Sequence, residues 1–293
     1  MTHAPAAVAT PGRPISLAAL TALELPPPDL VSTAADAGYS HVGLRLIPAT
    51  PTEVRHPMIG DTPLVRETRA RLDATGIRVL DIEILRLTPQ TRVADDCLAA
   101  IDTGASLGAT FALVAGNDPD EARLADRFAE LCDLAARYRI RPHLEFMAWT
   151  DAKDLVQAAR IVERAGRANG GILIDAFHFS RSRCRIADIA GVPAARFGYL
   201  QLNDVPAAIP ATNDGIVAEA RAERRFPGDG DLDLAALIGA LPPGIPLSLE
   251  VPTVELAKTV PALERARRAI AGARRVLARV GQTVPRDVMH ETR

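Results

Sequence analysis

The sequence predicts a single (β/α)8 TIM barrel of the α/β class, and three observations carry the prediction. Short apolar runs alternate with longer helical patterns eight times between positions 14 and 280. Short, largely apolar runs of this kind suit the strands of a parallel sheet buried on both faces. Four of the later runs deliver Glu145, Asp175, Gln201 and Glu250 at their carboxyl ends, which is the face of a barrel that carries its chemistry.

Taken in order, residues 1–13 lack the charged start and long apolar stretch of a secretion signal and are expected to be a disordered tail. Residues 14–20 form the first strand, and Pro26–Pro28 start a helix through Leu30, Val31, Ala34 and Ala35 that stops at Gly38. His41–Ile47 is the second strand, and Leu64–Thr75, closed by Gly76, the second helix. Arg78–Leu85 is the third strand, followed by a helix over 91–107 that ends at Gly108. Phe111–Ala115 is the fourth, followed by a helix over 120–138 whose apolar residues recur at helical spacing. The second half repeats the unit, with strands at Pro142–Phe146, Gly171–Ala176, Tyr199–Leu202 and Pro246–Val251. Helices over 152–168, 186–189, 232–241 and 254–277 separate or follow them. Residues 281–293 turn polar and read as a C-terminal tail, leaving one domain over 14–280. A doubly wound open sheet is the competing fold, but the glycine-rich phosphate turn expected after its first strand is absent.

Composition narrows the function. With 293 residues, 48% of them hydrophobic, the chain can bury a large core. A net charge of -2 argues against coating nucleic acid or an anionic membrane. Lys153 and Lys258 are the only lysines, so almost all positive charge is arginine. Cys97, Cys132 and Cys184 are odd in number, widely spaced and free of a C-x-x-C pair, which indicates reduced packing residues in a cytoplasmic protein. Charges or prolines interrupt every apolar run before it reaches membrane-spanning length.

The chemistry is concentrated around Ile172–Ser182, I-L-I-D-A-F-H-F-S-R-S, where Asp175 leaves a strand and His178 follows three residues later. Glu145, Asp175 and Glu250 in one barrel mouth would repel one another unless a cation neutralised them. With Gln201 they make an all-oxygen set, which suits Mn²⁺ or Mg²⁺, with Co²⁺ as an alternative, better than a closed zinc site. The competing account is that these acids pair with Arg45, Arg86 or Arg181.

Other residues carry two readings each. His143 lies two residues before Glu145 on the same strand face, where it either orients Glu145 or packs in the core. Arg45 either pairs with Glu83 across the barrel or holds an anionic group of the substrate. Arg181 is the better placed of the two for an anion, because a guanidinium grips carboxylate or phosphate with two parallel bonds. Arg224 and Arg225 precede the loop P-G-D-G-D-L-D, and one of them, Arg225 being our choice, closes over the substrate; a solvated cluster is the alternative for Arg224. Asn203 and Asp204 either bind a substrate hydroxyl or cap the loop backbone. Trp149 either walls the pocket or packs under a loop.

Glu145, Asp175, Gln201 and Glu250 over the fifth to eighth strands, His178 in D-x-x-H, and the loop beginning at Pro227 together resemble the xylose isomerase-like TIM barrels. This sugar phosphate isomerase/epimerase superfamily includes hydroxypyruvate isomerase-like and 3-dehydroshikimate dehydratase-like branches, and the resemblance spans about Pro14 to Val280. It implies metal ligands at Glu145, Asp175, Gln201 and Glu250, an imidazole beside the metal at His178, and proton transfer by Glu145 and Glu250. Gln201 stands where ketose epimerases usually have histidine, as it does in the hydroxypyruvate isomerase-like and dehydratase-like branches. The apurinic endonuclease branch needs more histidines than the six present, two of which, His3 and His290, lie in the tails.

The resemblance implies a divalent-metal-dependent isomerase or epimerase. Its substrate is a small polyhydroxy carbonyl compound, a sugar, sugar phosphate or sugar acid, turned over through an enediolate. A dehydratase of the dehydroshikimate or inosose type is the alternative, and a non-catalytic binding barrel or a subunit of a larger enzyme system the second. The expected partner is the small substrate, with neither nucleic acid nor membrane, and a homo-oligomer is compatible with the reading.

Overall fold

The strands form where apolar residues are dense, and the turns between them are set by residues that stop helices. The computed structural model describes residues 12–280. Along the chain come β1 (Ile15–Leu17), α1 (Pro27–Ala37), β2 (His41–Arg45), α2 (Pro63–Thr75), β3 (Arg78–Leu87), α3 (Val93–Asp96), α4 (Leu98–Ser106) and β4 (Phe111–Gly116). The second half contains α5 (Glu121–Ala136), β5 (Arg141–Glu145), α6 (Leu155–Ala165), β6 (Gly171–Asp175), α7 (Ala176–Arg181), α8 (Ile186–Ile189) and β7 (Phe197–Leu202). It ends with α9 (Asn213–Ala222), α10 (Leu234–Ala240), β8 (Leu247–Leu249), α11 (Val254–Ala257) and α12 (Ala262–Leu277). Each strand pairs in parallel with the next, and β1 pairs with β8, so the sheet closes into a (β/α)8 barrel. The tails expected at either end fall, except for positions 12 and 13, outside the described residues.

The boundaries depart from the sequence expectation for local reasons. The first strand stops at Leu17, and Ala19–Ala22 winds into a 3₁₀ turn. The helix expected over 91–107 is two helices meeting at Cys97. The one expected over 254–277 breaks before Pro261, which has no N–H to continue a helix and instead starts α12. Asp154 accepts a hydrogen bond from the Gln157 N–H, so α6 begins at Leu155 rather than at 152. Two helices were not expected. The Asp175 side chain caps α7 directly after β6, and α9 lies inside the connection from β7 to β8.

Apolar side chains pack in two places. The larger core lies between the strands and the surrounding helices and takes in Cys97 and Cys132. A smaller cluster of Leu80, Ile84, Phe111, Leu113, Ala115, Met147, Leu173 and Tyr199 fills the barrel itself. Deep in that interior His143 meets the edge of Phe111, with ring centroids 4.8 Å apart. Gly171 and Gly198 flank its imidazole so closely that a Cβ at either would collide with it. Below the mouth, the side-chain oxygens of Ser16, Asp81 and Ser248 are buried without a protein hydrogen-bond partner. Burial, followed by the neighbouring Glu83 and Glu250, pushes the Asp81 carboxyl well above its ordinary range.

The seam between the first and last units is tied by polar groups. Thr21 Oγ1 donates to Leu249 O (2.7 Å) and accepts from Val251 N (2.8 Å). Tyr39 donates to Ala266 O (2.8 Å), and the buried Arg265 donates to Thr21 O (2.7 Å).

Candidate active site

The parallel register places the four oxygen-bearing residues at one end of the barrel. Glu145 and Asp175 are the last residues of β5 and β6, Gln201 is next to last in β7, and Glu250 directly follows β8. Asp175 and Gln201 are register partners across adjacent strands. His178 lies in α7, which turns straight out of β6. A cavity of about 450 Å³ opens here, with Glu145, His178, Arg224 and Glu250 in its wall.

The cation that balances these acids in the structure is Arg224. Its Nη1 donates to Asp175 Oδ2 (2.8 Å) and Glu250 Oε2 (2.7 Å), and its Nε to Ala220 O (2.9 Å). The guanidinium also stands 4.9 Å from the centre of the Phe177 ring. The pairing of these acids with an arginine is therefore observed, but the partner is none of Arg45, Arg86 and Arg181. A solvated position for Arg224, one of the two readings above, is overturned, since the residue is only 4% exposed. Residues 224 and 225 are adjacent in an extended segment bridged to Asp204, so their side chains take opposite sides. Arg224 points in, whereas Arg225 is exposed and donates to Asp229 O at 3.4 Å.

Asp175 is held from several directions. Its Oδ1 accepts from Phe177 N (2.7 Å) and His178 N (3.2 Å), and Asn203 Nδ2 donates to both its oxygens (3.1 and 3.0 Å). Asn203 thus orients a carboxylate and does not line the cavity. Gln201 Nε2 donates to Glu250 Oε1 at 3.3 Å. Glu145 Oε1 lies 3.8 Å from His178 Nε2 and, like Gln201 Oε1, is buried without a hydrogen-bond partner.

The electrostatics follow from this burial. Burial raises the Glu145 carboxyl well above the usual range, and the charges of Glu250 and Asp175 add to it. Glu250 is pushed up to about 7, mainly by burial, with Arg224 opposing. Burial lowers His178 to about 3, so its imidazole is neutral at physiological pH. Trp149 meets that ring edge-on at 5.0 Å and does wall the cavity.

The remaining candidates are more dispersed. Arg45 lines the cavity with both ends of its fork engaged, Nη1 with both Glu53 oxygens (3.1 and 3.2 Å) and Nη2 with Glu83 Oε2 (3.2 Å). Arg181 does not reach the cavity. Its Nε and Nη2 close on Glu219 of α9 (2.9 and 2.5 Å), and Nη1 donates to Pro206 O (3.1 Å), so the side chain fastens the β7–β8 connection instead of facing a substrate. His143 Nδ1 approaches its neighbour Arg141 O at 3.1 Å, and burial lowers the ring to about 3. It stands beneath the site with no hydrogen bond to Glu145. Two further arginines, Arg86 and Arg221, line the cavity; the sequence offers Arg86 only as an acid's partner and gives no sign of Arg221.

Among the described residues, no three of His, Cys, Asp and Glu converge closely enough to hold a metal ion. Arg224 Nη1 sits between two of the acids, Asp175 and Glu250. The donor chemistry nevertheless fits a hard cation. Glu145 and Gln201 each present a buried, unpartnered oxygen, and the two other acids are held by a positive charge.

A closed parallel barrel with acids gathered on its carboxyl rim defines a class of α/β barrel proteins whose site lies at the strand ends. Within that class the chain belongs to the xylose isomerase-like TIM barrel family, whose family model matches residues 31–277. Two curated enzymes are similar over shorter stretches. A 3-dehydroshikimate dehydratase of Pseudomonas aeruginosa is 34% identical over 139 residues, covering 45% of this chain and 21% of that protein. An inosose isomerase of Halalkalibacterium halodurans is 30% identical over 115 residues, covering 38% of each. The chain thus spans well under half the length of either relative. The solved structure of IOLI protein, described with a binding zinc atom, superposes with a TM-score of 0.75 at 19% identity, covering 91% of this chain and 99% of that one. At that identity the likeness speaks for the fold. Among the described residues no helix is long and apolar enough to cross a membrane.

Proposed function

We propose that this barrel is a divalent-metal-dependent enzyme that moves a proton next to the carbonyl of a small polyhydroxy compound, isomerising or epimerising it. The observation that carries the reading is the presence of two buried carboxyl groups, Glu145 and Glu250, in the wall of one cavity beside an unpartnered amide oxygen and a neutral imidazole. Glu145, Asp175, Gln201 and Glu250 would hold the cation, with Mn²⁺ or Mg²⁺ favoured by an all-oxygen set and Co²⁺ as an alternative. Bound there, the cation would polarise the substrate carbonyl and stabilise negative charge on its oxygen.

The chain's own residues supply the rest. One of Glu145 and Glu250 removes the proton, the C–H electron pair forms a carbon–carbon double bond, and the carbonyl π pair moves onto oxygen; the other carboxyl group then returns a proton on the opposite face or, after the hydroxyl proton has passed between the two oxygens, at the former carbonyl carbon. Asn203 and the N–H groups of Phe177 and His178 fix Asp175. Trp149, Met147 and Leu113 form an apolar part of the cavity wall that disfavours water there.

Dehydration is the second reading, supported by the 34% identity to a dehydratase. There the same electron pair would expel a β-hydroxyl, which takes a proton from the His178–Glu145 pair and leaves as water. The deciding experiment incubates metal-loaded protein with candidate ketoses, inososes and 3-dehydroshikimate in D₂O and follows them by NMR and mass. Deuterium beside the carbonyl with no loss of water supports the first reading, and a conjugated product one water lighter supports the second. No turnover of any candidate with Mn²⁺, Mg²⁺ or Co²⁺ counts against both.

A further inference from the structure

Four guanidinium groups line the cavity, those of Arg45, Arg86, Arg221 and Arg224. Two are neutralised where they stand. Arg45 is gripped by Glu53 and Glu83, and Arg224 by Asp175 and Glu250. The other two form no salt bridge among the described residues. Arg86 is half-buried near the carboxyl end of β3, and only neutral groups hold it. Its Nη1 donates to Asn117 Oδ1 (3.0 Å) and its Nη2 to Ala49 O (3.2 Å). Arg221 is exposed on α9, at the end of the long connection that also delivers Arg224.

Arg86 and Arg221 line the same cavity, and burial, followed by repulsion from Arg45 and Arg221, lowers the Arg86 pKa against the opposing pull of Glu145 and Glu53. Keeping two cations without a salt-bridge partner at a partly dehydrated cavity costs free energy, which an anion bound beside them would offset. The planar forks match the oxygens of a carboxylate or phosphate, and Arg86 is already oriented by its two neutral acceptors. Ile84, Leu113, Met147 and Trp149 in the same wall suit a carbon skeleton beside that charged group.

We propose that Arg86 and Arg221 form an anion clamp at the rim of the cavity, and that the substrate carries a carboxylate or phosphate in addition to its carbonyl. The assignment rests on the reading of the cavity as a substrate site. It takes the anion from Arg45, whose fork is filled, and from Arg181, which lies outside.

Binding, measured without turnover, tests the clamp separately from the reaction. Shikimate and its neutral methyl ester form one calorimetric pair, and glucose 6-phosphate and glucose the other, each titrated into the protein as purified. At least one anion should bind about tenfold or more tightly than its neutral counterpart, and the pair showing the gap identifies the group as carboxylate or phosphate. Arg86→Met should remove most of that gap, Arg221→Met a smaller part, and Arg86→Lys should keep only some of it, with circular dichroism and melting confirming that each variant is folded. Equal affinity within both pairs, or a gap unchanged in folded Arg86→Met, overturns the clamp. Turnover of a neutral ketose with no anion preference would overturn the clamp and leave the proposed chemistry standing. Tight anion binding without turnover of any candidate would do the reverse.

Discussion

Arg224 supplies the positive charge that keeps Asp175 and Glu250 buried as acids, so removing it exposes the cost of the site. In chelator-treated protein, Arg224→Met should lower unfolding free energy by about 3–5 kcal/mol, because two carboxyl groups lose their partner in a dry environment. Urea unfolding measures this loss, and Mn²⁺ should raise the melting temperature of the variant more than that of the parent. Glu250 adds a pH signature. Its folded pKa of about 7 lies above the ordinary 4.5, so the folded state keeps a proton that the unfolded chain releases. The associated stability is complete below pH 4.5 and is lost as pH rises through 7, amounting to on the order of 3 kcal/mol. Glu250→Gln should flatten that decline between pH 5 and 8 in metal-free melts; an unchanged slope would assign it to other groups such as Asp81. The acids were legible because each ends an apolar run. Arg224 was not, because R-R before P-G gives no sign of which arginine faces inward, and only the bridge to Asp204 decides it.

At the scale of the element, β5, β6 and β7 fit together because β6 begins, and β7 has near its start, a residue without a side chain where His143 lies. Gly198→Ala should destabilise the fold by about 1–3 kcal/mol through that overlap. His143→Ala should restore part of the loss in the double variant, giving a coupling energy that chemical denaturation resolves. The sequence showed His143 on the inward face of its strand but not the glycines that enclose it, since those lie on neighbouring strands. Helix boundaries were readable where a residue acts locally, as at Gly38 and Gly76, both with positive φ. Helix α9 is not expected from the sequence, where Pro206, Pro210 and Gly215 interrupt the pattern around it. Its docking depends on Arg181 meeting Glu219, a contact between residues 38 apart.

For the whole molecule, eight short apolar runs imply a parallel sheet covered on both faces, and the missing glycine-rich turn favours its closed form over a doubly wound one. What the runs do not specify is how the last unit finds the first. That seam depends on contacts such as Arg265 with Thr21 and Tyr39 with Ala266, separated by more than 225 positions. Arg265→Met should cost about 2–4 kcal/mol, mostly as faster unfolding in stopped-flow measurements, because contacts this distant in sequence form after the folding barrier is crossed. The excursion between β7 and β8 differs in kind. Asp204 N donates to Arg225 O (3.0 Å) and Arg225 N to Asp204 O (2.8 Å), while the Asp204 carboxylate takes the N–H groups of Gly228 and Leu232. Both ends of the intervening stretch are thereby pinned at one neck beside the barrel. Arg221 and Arg224 ride on it. Such a stretch is an insert closed at its neck: a change of charge at its exposed positions, such as Arg221, would retune the rim of the cavity while Glu219 and Ala220 keep it anchored to Arg181 and Arg224.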